Sequence, residues 1–368
     1  MDSRRKRSLS SRREWSRRDG RVRGTPGPAG RIIPPHMLKH LARNGSPEDR
    51  ELAIRMLMMS EKVRGMRRAL GEFYVAAPAG GGCIRVYDVN HGSDSDLPGV
   101  LVANPASSTD PEVAEAFRGA EATYTFYKDI YNRDSIDGKG MCIDSSVHFE
   151  TGYDNAMWDG RQMIYGDGDG IYFNRFTIAI DVIGHELTHG VTEYEAGLVY
   201  QGQPGALNES MSDVFGILVK QWSLGQTADQ ADWLIGEGIF TRSVHGKALR
   251  SMSAPGTAYD DPKLGKDPQP ADMAHYVKTT EDDGGVHINS GIPNHAFYLT
   301  AMELGGHAWE KAGRIWYVTL SSALKPKSSF ATAAKRFFQV AGVLFGVGSE
   351  EQAAVEKGWA GVGVKIPK

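Results

Sequence analysis

The residues best able to do chemistry stand together at His185-Glu186-Leu187-Thr188-His189. On an α-helix, positions four apart project from one face, so both imidazoles can reach one metal ion. The glutamate between them lies beside the pair, placed to take a proton from water at that ion. The flanks fit a helix, with Asp181 at its start and Val182, Ile183 and Val191 as packing residues. Two imidazoles are too few, because a catalytic zinc keeps three protein ligands and one open position. The pattern that supplies a third histidine needs Gly at 192 and His at 195, where this chain has Thr192 and Glu195. The third ligand is therefore expected to be a carboxylate. Glu193 and Glu195 share the helix of the histidines but point away from their face.

Glu209 is better placed, on a second helix expected from about Ala206 to Trp222. There Leu207, Met211, Val214, Leu218 and Trp222 form one stripe, and Glu209, Asp213, Gly216 and Lys220 the other. A line of carboxylates on so apolar a helix is expected to face a partner rather than water. Glu209 then completes a zinc site with His185 and His189. Asp213, one turn on, accepts a hydrogen bond from the free ring nitrogen of a ligand histidine, which orients the ring and raises its basicity.

These helices need a frame. From Ile84 to about Phe176 short segments (Ile84–Tyr87, Ser146–Phe149, Gln162–Tyr165, Ile171–Phe173) alternate with Gly, Asp and Asn turns, the texture of a β-rich region. One helix, Pro111 to Tyr131, is expected inside it. After Thr177 the pattern is mostly helical to the end. The fold class is α+β, a β-rich lobe followed by a helical one, with boundaries at 76–195 and 196–368. Ahead of it, a short helix is expected to follow Pro34-Pro35 and stop at Asn44-Gly45. A second has Ser46 as N-cap, Pro47 in first position and Glu48 and Asp49 in the first turn, and runs to about Leu70. Ala76 to Gly82 reads as a linker open to cleavage.

Composition bounds the rest. With 40% hydrophobic and 24% charged residues over 368 positions, the chain can build a large core. A net charge of −3 implies no obligate polyanion partner. Residues 1–30 form a basic arm expected to be disordered. Its first 23 residues carry ten Lys or Arg against three acids, a solvated tail with no nucleic-acid motif downstream. No run is apolar enough to span a membrane, and no signal sequence is readable. The two cysteines, Cys83 and Cys142, exclude a disulfide framework. A single bridge is possible, but two buried free thiols are expected.

At this point the sequence resembles the thermolysin family of gluzincin peptidases, in which HExxH is followed by nineteen residues, a Glu, and an Asp four later; residues 190–208 are those nineteen here. The likeness covers roughly 84–368. Asn155-Ala156-Met157-Trp158 with Gly166-Asp167-Gly168-Asp169-Gly170 resembles the upper edge of the family's cleft. Tyr200 matches its tyrosine oxyanion donor, Arg250 its substrate-binding arginine, and Asp282 to Gly291 its catalytic histidine stretch. The resemblance implies a two-lobe fold with the active-site helix between the lobes. It also implies a zinc-dependent endopeptidase acting on protein or peptide substrates. Glu186 is the base, Tyr200 and His287 meet the oxyanion, and Asp282 holds His287. Asn155 and the Ala156 carbonyl bind substrate backbone, and Arg250 a substrate carbonyl. Leu249 and Val182 line a pocket for the residue after the cut, so cleavage before Leu, Phe or Ile is expected. Calcium is the second ion the resemblance implies. The family's calcium acids match Asp181, Asp232 and Glu237, but the position of a further acid is Lys220. Its ammonium is expected to replace one cation by pairing with Asp181 and its neighbours.

Ile32-Ile33-Pro34-Pro35-His36-Met37-Leu38 is similar to the short propeptide of protealysin-like members of this family. Residues 31–75 are accordingly read as a propeptide covering the cleft as an intramolecular inhibitor, so that the enzyme is made as a zymogen. Those members also tend to lack a conventional signal sequence, so secretion by another route is expected, with a cytoplasmic location as the alternative. A monomer is expected. An exopeptidase would need a group for a free substrate amine, and no motif offers one. A non-catalytic relative would commonly lose Glu186, Tyr200 or His287, and all three are present.

Overall fold

The computed structural model describes residues 32–70 and 82–366. The basic arm and the linker before Gly82 lie outside the described residues. Helix α1 (Pro35–Asn44) starts on two prolines and ends where the Gly45 amide donates to the Leu41 carbonyl, 2.8 Å. Helix α2 (Pro47–Leu70) opens as its composition predicts: the Ser46 hydroxyl accepts from the Asp49 amide and the Asp49 carboxylate from the Ser46 amide.

The first lobe is a five-stranded sheet flanked by helix α3 (Pro111–Tyr131). In chain order the strands are β1 (Ile84–Asp88), β2 (Val100–Leu101), β3 (Ile143–Val147), β4 (Ala156–Trp158) and β5 (Met163–Tyr165). The spatial order is β2-β1-β3-β5-β4, with β1, β3 and β5 parallel and β2 and β4 antiparallel at the edges. The strand expected at 146–149 begins three residues earlier. Residues 171–173 make no strand, only a bridge from Phe173 to Phe240. At 143–147 the segment is buried on both faces, so alternation does not mark where pairing starts. At 171–173 only Phe173 is buried, and the exposed Ile171 has no strand beside it to pair with among the described residues.

The expectation of free thiols is wrong, because Cys83 and Cys142 form a disulfide. Each cysteine immediately precedes a strand, and β1 pairs β3 in parallel with Ile84 opposite Ile143. That register brings the two Cα atoms to 4.5 Å, inside bridging range. Two strands 59 residues apart give no sequence signal of their register.

Asp110 caps α3 by accepting from the Glu112 and Val113 amides. Its other oxygen accepts from His148 Nε2, 3.0 Å, while His148 Nδ1 contacts Asp167 at 2.9 Å. His91 and Glu112 also face this cluster. The hydrogen bond to Asp167 leads in raising the His148 pKa to about 9, against the opposing effect of burial. A histidine with a folded pKa above its unfolded 6.5 stabilises fully below pH 6.5 and loses that stabilisation as pH rises through about 9. Partial exposure of the carboxylates screens the pair, so roughly 1–2 kcal/mol is at stake. His148→Gln, made in an inactive background to avoid autolysis, should be less stable at pH 6 and converge on its parent by pH 9.5. Urea midpoints that differ equally at both pH values would refute the charge argument.

Helix α4 (Ile180–Tyr194) closes the first lobe and crosses closely over α5 (Gly202–Leu224), the first helix of the second. A Cβ at Gly216 would stand 2.4 Å from the Asp181 carbonyl, and one at Gly184 would stand 3.1 Å from the Gly216 Cα. Glycine at both positions lets the helices approach until residues on one reach a point held by the other. A two-stranded ladder of β6 (Leu234–Ile235) and β7 (Arg250–Ser251) carries Arg250, and a second pairs β8 (Asp260–Asp261) with β9 (Gly265–Lys266). Helices α6 (Asp282–Asn289), α7 (Gly291–Leu304), α8 (Ala312–Ser322), α9 (Phe330–Phe345) and α10 (Glu350–Gly361) complete the lobe. They pack around Phe297, Trp316, Phe337 and Trp359, all fully buried.

Candidate active site

Three donor atoms converge at the α4–α5 crossing. His185 Nε2 and His189 Nε2 are 3.0 Å apart, and each lies 3.6 Å from a Glu209 oxygen. Ligands about 2.0–2.1 Å from a tetrahedral zinc stand about 3.3 Å from one another, so the spacing fits that ion. The outer nitrogens are engaged. His185 Nδ1 faces Asp213 Oδ1 at 2.8 Å and His189 Nδ1 faces Asn208 Oδ1 at 2.8 Å. If both Nδ1 atoms donate there, the Nε2 atoms carry no proton and two lone pairs face each other. A cation between them resolves that conflict, which is the strongest local argument that these residues fit zinc. All three side chains are buried.

Asp213 holds more than a histidine. Its two oxygens also accept two hydrogen bonds from Arg250, at 2.8 and 2.9 Å, and one from Asn294, 2.8 Å. Burial alone would raise its pKa, but the charges of Arg250 and His185 outweigh burial and hold it far below the usual carboxylate range. Burial likewise raises Glu209, and the three neighbouring imidazoles and Arg250 bring it below its ordinary value.

Glu186 Oε2 accepts from the Trp158 amide on the edge strand β4, 3.0 Å. That fixes the carboxylate beside the triad, with His185 Nε2 at 4.0 Å from its other oxygen. Tyr200 Oη donates to Glu209 and lies 3.1 Å from His287 Nε2. His287 is set by its own loop: residues 282–285 all have positive φ, between 48° and 83°. This coil lets Asp282 accept both the His287 amide, 2.9 Å, and His287 Nδ1, 2.5 Å. Glycine at 284 and 285 permits the left-handed turn, and left-handed Asp282 and Asp283 are strain of the kind found where side-chain position matters. Burial raises the Asp282 pKa, but the His287 and His36 charges and the hydrogen bonds from His287 bring it below the ordinary value.

Asn155, Ala156 and Arg250 do come together, and the chain's own residues stand on them. The Ile32 amide donates to the Ala156 carbonyl, 3.3 Å, and the Ile33 amide to Asn155 Oδ1, 3.1 Å. Arg250 Nη1 donates to the Ile32 carbonyl, 3.1 Å. Ile32, Val182 and Leu249 are each fully buried. Helix α1 is tied down by His36 to Tyr259, 2.9 Å, by His40 to the Lys263 carbonyl, 2.8 Å, and by Lys39 to Glu281, 2.9 Å.

The Lys220 expectation needs correction in its partner. The ammonium bonds Asp232 at 2.8 and 3.1 Å and the Leu234 carbonyl at 3.3 Å, with Glu237 at 3.5 Å. Asp181 is instead satisfied by the Gly236 amide, 2.5 Å, and feels Lys220 only through its charge. The Asp232 carboxylate also accepts the Leu234 amide, 2.9 Å, which holds it beside the ammonium.

The sequence reading missed four supports. Asn208 carries its signal in plain view, adjacent to Glu209 on the same helix. Asn294 and Gln269, which binds the His287 carbonyl at 2.8 Å, come from distant stretches with no spacing cue. The Trp158 contact is a backbone amide and leaves no mark in side-chain pattern.

A helix pair that offers two imidazoles and a carboxylate to one ion, with a further carboxylate alongside, defines a zinc hydrolase of the peptidase type. Residues 61–193 match the thermolysin metallopeptidase catalytic domain and residues 196–364 the thermolysin metallopeptidase alpha-helical domain. An extracellular metalloprotease of Pectobacterium carotovorum subsp. carotovorum is 48% identical over 338 residues, covering 91% of this chain and 96% of that protein. Protease PrtS of a Photorhabdus species is 43% identical over 345 residues, covering 91% and 92%. The solved precursor of protealysin, a metalloproteinase from Serratia proteamaculans, superposes with a TM-score of 0.83 at 51% identity, over 91% of this chain and all of that one. The chain belongs to the thermolysin family of metallopeptidases and is a metalloendopeptidase with its two-lobe α+β fold.

Proposed function

We propose that this enzyme cuts internal peptide bonds on the N-terminal side of bulky hydrophobic residues and is made as a zymogen whose residues 31–75 block the cleft. The observation that carries the zymogen reading is the seating of Ile32 and Ile33 on Ala156, Asn155 and Arg250 beside the metal-binding triad. A substrate needs those same groups, so the segment and a substrate exclude each other.

The chemistry follows from the placement of side chains. Zinc, when bound by His185, His189 and Glu209, supplies Lewis-acid polarisation of the scissile carbonyl and a more acidic water. Glu186, aimed by the Trp158 amide, takes a proton from the attacking water and passes it to the leaving amine. Tyr200 and His287 donate to the oxyanion; Asp282 accepts from His287 Nδ1 and favours the imidazolium form, which alone carries a second N–H at Nε2. Val182 and Leu249, both buried, line the pocket that selects the residue after the cut. The disulfide suits an oxidising compartment, and relatives named extracellular support secretion. Protein and peptide substrates, a monomer and no nucleic-acid partner remain part of this reading.

Purified precursor incubated with zinc should lose its prosegment near 66–82 while hydrolysis of an internally quenched peptide rises and amino-acid anilides stay intact. Full activity with the prosegment still covalently attached and unprocessed would overturn the zymogen reading. Cleavage before charged residues would overturn the specificity.

Lys220 is proposed to stand in for a cation. Lys220→Glu should gain a dependence on calcium that the parent lacks, worth about 2.7 kcal/mol at one hundred times the dissociation constant. Melting curves of the variant that ignore calcium would count against the substitution idea.

A further inference from the structure

The way Ile32 sits in the cleft has a direction. β4 is an edge strand, bonded to β5 on one side only. Backbone groups of residues two apart on a strand point to the same edge. The Ala156 carbonyl and the Trp158 amide therefore share the free edge, the first holding the Ile32 amide and the second the Glu186 carboxylate. Ile33 lies against Asn155 and Ile32 against Ala156, so the chain runs antiparallel to β4. In that antiparallel sense Trp158, and the Glu186 carboxylate it holds, lie on the N-terminal side of Ile32. On the opposite wall, the Ile32 carbonyl is held by Arg250, which is bonded to Asp213, which in turn holds His185. One residue thus has its N–H fixed on the side of the base and its C=O fixed through the support of a metal-binding histidine. Its side chain is fully buried, as are those of Val182 and Leu249.

An inhibitory segment could equally cross a cleft in the reverse sense, offering no bond to the base. This one does not. We propose that Ile32 and Ile33 bind as the leaving half of a substrate binds, and that the enzyme hydrolyses its own Arg31–Ile32 bond, releasing residues 1–31, which contain the basic arm. This rests on the endopeptidase reading above and adds a second processing position, separate from the linker near 66–82. In the step, a water oxygen bonds to the Arg31 carbonyl carbon and the C–N bond to Ile32 breaks. One water proton passes through Glu186 to the Ile32 nitrogen, which leaves as an amine, and the other is lost from the new Arg31 carboxyl group to solvent. Isoleucine as the residue after the cut agrees with the apolar pocket. After the cut, Ile32 and Ile33 keep their hydrogen bonds to Ala156, Asn155 and Arg250 and stay anchored by α1. Losing the arm therefore does not open the cleft, which still needs the linker to be cut.

The test uses the full chain, purified in chelator and started by adding zinc, with intact-mass and N-terminal analysis over time. A peptide ending at Arg31 and a partner chain beginning at Ile32 are expected, at a first-order rate that does not change over a tenfold range of protein concentration. Glu186→Gln should leave the bond intact. Ile32→Gly, which empties the pocket, should slow the cut about tenfold or more, and Ile32→Leu should restore it. If the quenched peptide is hydrolysed but no terminus forms at Ile32, the self-cleavage proposal fails while the endopeptidase reading stands. An Ile32 terminus that forms as fast in Glu186→Gln points to a foreign protease and also overturns it. If neither peptide nor arm is cut, the endopeptidase reading fails and takes this proposal with it.

Discussion

Glu186→Gln should lower turnover of an internally quenched peptide by about a thousandfold or more while leaving one zinc per chain and an unchanged melting temperature. The amide keeps the volume of the carboxylate, and its oxygen can still accept from the Trp158 amide, which now holds Glu186 at 3.0 Å. What it cannot do is take a proton from water or return one to the leaving amine. Proton transfer by a placed side chain is worth about 10²–10⁴ in rate. In the proposed mechanism one carboxylate serves both the attack and the departure, so the upper half of that range is expected. Zinc content should not move, because the donor set is His185, His189 and Glu209, and each of those histidines is oriented by another residue. Activity within tenfold of the parent would assign the proton transfers elsewhere. Loss of zinc together with activity would mean that Glu186 maintains the site instead of working in it.

Much of this site was legible because its chemistry is local. The i, i+4 histidines lie on one helix, and the stripe of Glu209 and Asp213 lies on one face of the next, so periodicity alone placed four of the groups. Their convergence was less legible. It depends on Gly184 and Gly216 letting α4 and α5 approach, and a glycine in a helix announces an exception without saying what it admits. Tyr200, Arg250, Asp282 and His287 carried no spacing signal and entered only through resemblance to a known family. The disulfide failed for a related reason: Cys83 and Cys142 meet through strand register, which turn composition does not encode. Lys220 shows the limit of matching positions. The residue at an expected cation site is a cation, but its partner is Asp232, because the Gly236 amide had already satisfied Asp181. The two helices expected after Pro34-Pro35 and Ser46 are both present, because their caps are local signals. The hydrogen bonds of Ile32 and Ile33 across the cleft depend on two distant elements, β4 with the adjoining Asn155 and β7 with Arg250, and lie beyond any local pattern.

The second large effect belongs to Asp213. Asp213→Asn should cost about 3–5 kcal/mol of stability and weaken zinc binding roughly tenfold to a hundredfold. The carboxylate is fully buried and accepts from Arg250 twice, from His185 and from Asn294. An asparagine of the same shape offers one acceptor oxygen and an NH2 group, which would face a donor. The guanidinium of Arg250, itself buried, would then lose its counter-charge in a medium that cannot hydrate it. The stability loss is therefore chiefly a penalty for a stranded charge, whereas the zinc loss comes from His185 losing the partner that fixes its ring. The two effects should separate in Asp213→Asn combined with Arg250→Met. Removing the stranded charge should recover much of the stability, read from urea unfolding in the Glu186→Gln background, and none of the zinc affinity, read by chelator competition. Recovery of both would show that Asp213 acts on the metal only by keeping the fold intact, and recovery of neither would show that the Arg250 charge was not the source of the cost.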